Sequence, residues 1–166
     1  IRASYAMGRV KTGALIVLEQ KDPLDDYEKT GIELDSKISS QLLINIFEHN
    51  TPLHDGAVIV RGDRIVSATC YLPLSDNMEL SKELGTRHRA AVGISEATDS
   101  LTVVVSEETG RVSVALGGVL YRNVDSDELR EKLRMIQNKV LEETGFRFWK
   151  GRSKNGNPKT DKKISD

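Results

Sequence analysis

The sequence predicts an α/β domain: one globular unit in which a central mixed β-sheet is flanked by helices. Three observations carry that expectation. Short apolar or β-branched runs recur at Ala14–Leu18, Ala57–Val60, Arg64–Tyr71, Leu101–Val105 and Val112–Leu116, each of strand length. Segments between them repeat apolar residues at helical spacing. Two of the strand pairs are joined by turns too short for a crossover helix, so part of the sheet must be antiparallel.

Along the chain, Ala14–Leu18 (ALIVL) reads as a buried strand after Gly13, and a polar, proline-containing loop follows from Glu19 to about Glu33. Ser36–His49 places Ile38, Leu42, Leu43, Ile46 and Phe47 on one helical face, and Asn50 and Pro52 end it. Gly62-Asp63 between Ala57–Val60 and Arg64–Tyr71 is a hairpin signal. A loop carrying Pro73 and Asn77 leads to a helix over Gly85–Ala97, packing through Ala90, Ala91 and Ile94. Leu101–Val105 and Val112–Leu116 form a second pair around a turn at Glu108–Gly110, and Gly117-Gly118 suggests another tight turn. Asp125 and Glu128 stand at capping-box spacing ahead of a stripe of Leu129, Leu133, Ile136 and Val140. Residues 1–150 are expected to be the domain, and Gly151–Asp166, without a hydrophobic cluster, a disordered or artificially appended tail.

The 166 residues carry 24 Lys and Arg against 25 Asp and Glu, a balance that argues against a broad nucleic-acid footprint. The single cysteine, Cys70, lies in an apolar stretch and reads as core filler; it excludes an internal disulfide and a multi-cysteine zinc site. No apolar run is long enough to span a bilayer and no signal-peptide pattern occurs, so the chain itself is expected to be soluble. The first residue is Ile1, which is compatible with a membrane anchor preceding it.

Three clusters carry chemistry. In Leu53-His54-Asp55-Gly56-Ala57, Asp and Gly suit a turn, yet an imidazole beside a carboxylate can share a metal ion, and Gly56 admits close ligand approach. Gly85-Thr86-Arg87-His88-Arg89 opens a helix, where free N–H groups and the positive dipole end favour anions. Two arginines there oppose the macrodipole unless an anion compensates. Ser106-Glu107-Glu108-Thr109-Gly110 is either a plain hairpin turn or a strand end facing the same site. Tyr71 and Leu72 are either edge-of-core residues or a wall for a purine ring. The common phosphate-loop, dinucleotide and nucleophile-elbow signatures are absent.

Taken together, Asp55-Gly56-Ala57 and Arg87-His88-Arg89, about thirty residues apart in the contexts LHDGAVIV and GTRHRAAVGISE, resemble the paired DGA and RHR motifs of bacterial diadenylate cyclase domains. The resemblance runs from roughly Lys11 to Leu120 and is closest to the membrane-anchored class. It implies condensation of two ATP into cyclic di-AMP and two pyrophosphates with Mg²⁺, Mn²⁺ or Co²⁺. It implies Asp55, Arg87, His88 and Arg89 as catalytic residues, and Asp55 with His54 as metal ligands. Gly56 and Ala57 would lie against the nucleotide, Tyr71 and Leu72 against adenine. Thr86, Arg87, His88 and Arg89 would hold the triphosphate, Gly85 would also bind ATP, and Ser106 with Glu107 would complete the phosphate–metal side. A face-to-face homodimer would be needed for ring closure, regulatory proteins would be partners in the cell, and the full-length protein would sit at the cytoplasmic face of the membrane. Rival expectations are a module that binds ATP or a cyclic dinucleotide without turnover, a metal-dependent phosphohydrolase, and a partner-binding domain.

Overall fold

A computed structural model describes residues 1–78, 80–81 and 84–137. These build a seven-stranded sheet from β1 (Ala14–Leu18), β2 (Ile32–Lys37), β3 (Ala57–Arg61), β4 (Arg64–Cys70), β5 (Leu101–Val105), β6 (Val112–Leu116) and β7 (Val119–Tyr121). The helices are α1 (Arg2–Arg9), the single turn α2 (Asp25–Glu28), α3 (Ser40–Ile46), α4 (Thr86–Ala97) and α5, residues 126–137. The strand order is β2-β4-β3-β1-β5-β6-β7, with β1 parallel to β3 and every other neighbouring pair antiparallel. The expected mixed sheet with flanking helices is therefore the observed architecture.

The continuous apolar strands are explained by two covered faces. Alternate side chains of β1 leave the sheet in opposite directions: Ile16 joins a core layer with Ala3 and Met7 of α1, Leu43 and Ile46 of α3, and Leu129 of α5. Leu15 and Val17 join a second layer under α4, with Ala90, Ala91, Val92 and Ile94. Cys70 is buried in this second layer, as expected of core filler, and burial pushes its thiol up from the ordinary value.

Three segments differ from the sequence expectation. The helix expected from Ser36 begins at Ser40, capped by the Ser39 hydroxyl, which accepts from the Leu42 amide at 3.1 Å. Ser36 and Lys37 belong instead to β2, an edge strand with only shallow burial, so its backbone pairing with β4 sets its conformation rather than an apolar rhythm. Within the expected loop, α2 is tied down by Arg61, which donates to Glu19 at 2.6 and 2.8 Å and to Glu28 at 2.8 Å. Both Gly117 and Gly118 take positive φ, closing a two-residue hairpin that carries β7. The capping box forms: the Asp125 carboxylate accepts from the Glu128 amide, and the Glu128 carboxylate from the Asp125 amide, both at 2.9 Å. Val140 and the segment Gly151–Asp166 lie outside the described residues.

Candidate active site

Strand directions decide where the motifs meet. Because β1 runs parallel to β3 and antiparallel to β5, the starts of β1 and β3 share one end of the sheet with the finish of β5. The pairings Ala57 with Cys70 and Val105 with Val112 bring the finish of β4 and the start of β6 to the same end. All three sequence clusters, and Tyr71 with Leu72, therefore gather there, at carboxyl and amino strand ends alike.

Arg87, one residue into α4, reaches back across the sheet end and donates from Nη1 to Oε2 of Glu107 at 2.7 Å. The pair passes over Gly13 so closely that a Cβ there would lie 2.8 Å from Arg87 Nη1 and 3.1 Å from Glu107 Oε2. Gly13 thus makes room for the ion pair. Two clefts adjoin it and share both residues. One, of about 570 Å³, runs past Lys11, Gly13, His49 and His54. The other, of about 610 Å³, lies between the start of α4 and the turn after β5, and contains Thr86, His88 and Ser106.

The start of α4 is open to a ligand. Gly85 occupies the N-cap position and offers no side-chain hydrogen bond to the first helical amides. His88 is held below the ordinary histidine value, first by burial and then by the Arg122 guanidinium, so near neutral pH it serves as an uncharged hydrogen-bonding group. His54 is oriented through Nδ1, which lies 2.6 Å from the Thr51 carbonyl. A carbonyl only accepts, so Nδ1 carries the hydrogen and the Nε2 lone pair stays available. The His49 ring stands edge-on at 5.5 Å.

Residues 1–120 match the family described as DAC, DisA bacterial checkpoint controller nucleotide-binding. The chain belongs to that family.

Relatives of this DAC-family chain include the diadenylate cyclase of Listeria monocytogenes, 55% identical over 152 residues, which are 90% of this chain and 56% of that protein. The cyclic di-AMP synthase CdaA of Bacillus subtilis is 54% identical over 157 residues, 93% of this chain and 57% of that protein. The chain thus spans a little over half the length of these curated relatives. The crystal structure of a double mutant of DacA from Staphylococcus aureus is 52% identical, with a TM-score of 0.80, over 81% of this chain and 90% of that one. A Bacillus cereus structure, described as a hypothetical membrane spanning protein, gives 48% identity and a TM-score of 0.72 over 75% of this chain and 61% of that one.

Within the DAC-family fold the candidate residues fall into distinct groups. Gly85, Thr86, Arg87, His88, Ser106 and Glu107 line the larger cleft, and His54, Arg87 and Glu107 the smaller. Asp55 is exposed beside His54 and lines neither cleft. Gly56, at φ +109°, backs onto Thr69, and Ala57 is fully buried in β3, so Ala57 can meet a nucleotide through its backbone alone. Arg89 is in neither cleft. Leu72 packs on the α4-side core while Tyr71 is 76% exposed. Sequence reasoning passed over Gly13, Arg111, Ser113 and Arg122; only Gly13, directly ahead of a buried strand, carried any local signal.

For a divalent cation the protein supplies a partial donor set. Among the described residues, no three His, Cys, Asp or Glu side chains form a group able to hold a metal ion. His54 Nε2 and the carboxylate of its sequence neighbour Asp55 are donors that could take part in holding a divalent cation, whose other ligands would be substrate phosphates and water.

Proposed function

We propose that this domain condenses two ATP into cyclic di-AMP and two pyrophosphates. The observation that carries the reading is the Arg87–Glu107 pair, which lines one cleft with the uncapped α4 start and the other with His54. A triphosphate lying along that end of the sheet meets helix amides, the Arg87 fork and the His54–Asp55 pair in sequence. The cyclase and synthase names of relatives more than half identical support the same chemistry.

In this reading the α4 amides, the Thr86 hydroxyl and Arg87 bind and orient the phosphates, and His88 donates without adding charge. Ser106 and Glu107 fix the phosphate side, and Glu107 keeps the Arg87 fork in place. Gly56 lets the nucleotide approach the backbone, while Tyr71 and Leu72 flank the adenine. His54 and Asp55 would hold a divalent cation, Mg²⁺, Mn²⁺ or Co²⁺, which when bound supplies charge neutralisation and a more acidic ribose hydroxyl. Asp55 accepts the 3′-hydroxyl proton. The 3′-oxygen then bonds to the α-phosphorus of the second ATP as the α–β bridging P–O bond breaks, its electron pair departing on pyrophosphate. Repeating the step with the roles of the two ATP exchanged closes the ring.

A product with two-fold symmetry calls for two domains face to face. Asp55 and Tyr71 are both exposed on the motif-bearing end, which supports their burial by such a partner. Among the described residues, no helix is long and apolar enough to cross a membrane. The reading includes attachment to the cytoplasmic face of a membrane through a segment outside these residues, which the Bacillus cereus likeness supports.

The test is incubation with ATP and Mn²⁺ or Mg²⁺ followed by chromatography. Cyclic di-AMP is expected; ADP or AMP with free phosphate would establish a phosphohydrolase instead, and unchanged ATP a binding module. Specific activity should fall on dilution through the dimer dissociation constant, and constancy there would remove the dimer from the mechanism.

A further inference from the structure

We propose that the larger cleft seats the two terminal phosphates of ATP, and the pyrophosphate they become, with Arg111, Arg122 and Ser113 as positioning residues beyond the RHR motif. The proposal rests on the ATP-condensing reading above and assigns the leaving-group end of the site.

The cleft is walled by the start of α4, the turn between β5 and β6, and the residues just after β7. Its volume, about 610 Å³, is ample for a phosphate chain and its hydration. Three arginines line it, Arg87, Arg111 and Arg122, the last two exposed. The carboxylates present are Glu107, already held by Arg87, and Glu108 at the exposed rim. Neither Arg111 nor Arg122 forms an ion pair among the described residues. Arg122, an exposed residue, lies near enough to the half-buried His88 to disfavour its protonation.

Ser113 adds a hydroxyl to this cleft. It is only 3% exposed, lines the cleft, and its hydroxyl has no hydrogen-bond partner among the described residues. Its β6 neighbours Val112 and Val114 point into the opposite core layer, so strand alternation turns Ser113 toward α4. Packing alone would be satisfied there by an apolar residue, as at Ala115 two positions on. Among the described residues only Thr102 Oγ1 is fully buried without a partner, so the Ser113 hydroxyl is open to the cleft and free to donate to what occupies it.

These features suit the most charged part of ATP. When the α–β bridging bond breaks, its electron pair adds negative charge to the departing pyrophosphate. Two unpaired arginine forks and an uncapped helix start are positioned to stabilise that charge, while the Arg87–Glu107 pair separates them from His54 and the reacting end. Arg87, in the first turn, opposes the α4 dipole, and an anion in this cleft offsets that opposition.

Arg111→Gln, Arg122→Gln and Ser113→Ala would be titrated calorimetrically with pyrophosphate, ATP and AMP, with and without Mg²⁺. Each arginine variant should weaken pyrophosphate and ATP about tenfold while leaving AMP and the melting temperature unchanged. Ser113→Ala should weaken pyrophosphate by a smaller factor and leave the domain at least as stable. Undiminished pyrophosphate affinity in both arginine variants, or an equal loss for AMP, would overturn the assignment. The functional reading fails separately: a parent protein that binds pyrophosphate through Arg122 yet forms no cyclic di-AMP keeps the anion site and loses the cyclase.

Discussion

Replacing Gly13 by alanine separates the fold from the chemistry. The new Cβ would stand 2.8 Å from Arg87 Nη1 and 2.9 Å from its Cζ, whereas ordinary contact begins near 3.4 Å, so the guanidinium must retreat by about 0.6 Å. That group ends a flexible side chain, and Glu107 is 59% exposed, so loosening the pair costs the fold no more than about 1 kcal/mol. Gly13 is not among the glycines with positive φ, and alanine there restricts the unfolded chain, returning about 0.4–1 kcal/mol. The melting temperature should therefore move by only a few degrees. A phosphate-binding fork displaced by this much should lower kcat/KM for ATP by roughly tenfold or more, given that about 1 Å of misplacement costs on the order of a hundredfold. Chromatographic rates of cyclic di-AMP formation, set beside thermal unfolding followed by circular dichroism, check both halves. Activity within twofold of the parent would refute the claim that Gly13 sets the Arg87–Glu107 geometry; a loss matched by a large drop in melting temperature would refute the separation of fold from chemistry.

Asp55→Asn should reduce cyclic di-AMP formation by at least about a hundredfold with an unchanged melting temperature, because Asp55 is exposed and forms no ion pair among the described residues. Gly56→Ala acts oppositely, on the fold itself. At φ +109° its Cβ would sit 2.8 and 2.9 Å from Thr69 backbone atoms, so urea unfolding should show a loss of about 2–4 kcal/mol. His88 gives a pH signature. Its folded pKa is depressed below 6.5, so as pH falls under 6.5 the unfolded chain takes up the proton first and stability declines through that window. His88→Gln should flatten the decline, as measured by urea midpoints from pH 7.5 to about 5.

How far the sequence could be read follows from where each element's order comes from. Strands β1, β3 and β5 are covered on both faces, and each appears as an unbroken apolar run. The Gly62-Asp63 hairpin and the Asp125–Glu128 box were legible because their causes lie within four residues. Strand β2 was not legible: IELDSK is exposed along most of its length and owes its conformation to pairing with β4, some thirty residues away. Strand β7 has three residues, too few for a pattern, and α1 is short, with Ala3 and Met7 buried only by packing against distant segments.

The sequence alone determined the element types of the core, the family through its paired motifs, and the anion-seeking character of the α4 start, since each is a property of neighbouring residues. The tertiary structure decided which strand ends share an edge, and so that His54, Arg87 and Glu107 meet while Arg89 lines neither cleft. It also decided that Gly13, Arg111, Ser113 and Arg122 join them. Strand order and the angular position of a residue on a helix are set by pairings across the whole chain, and no local window of sequence contains them.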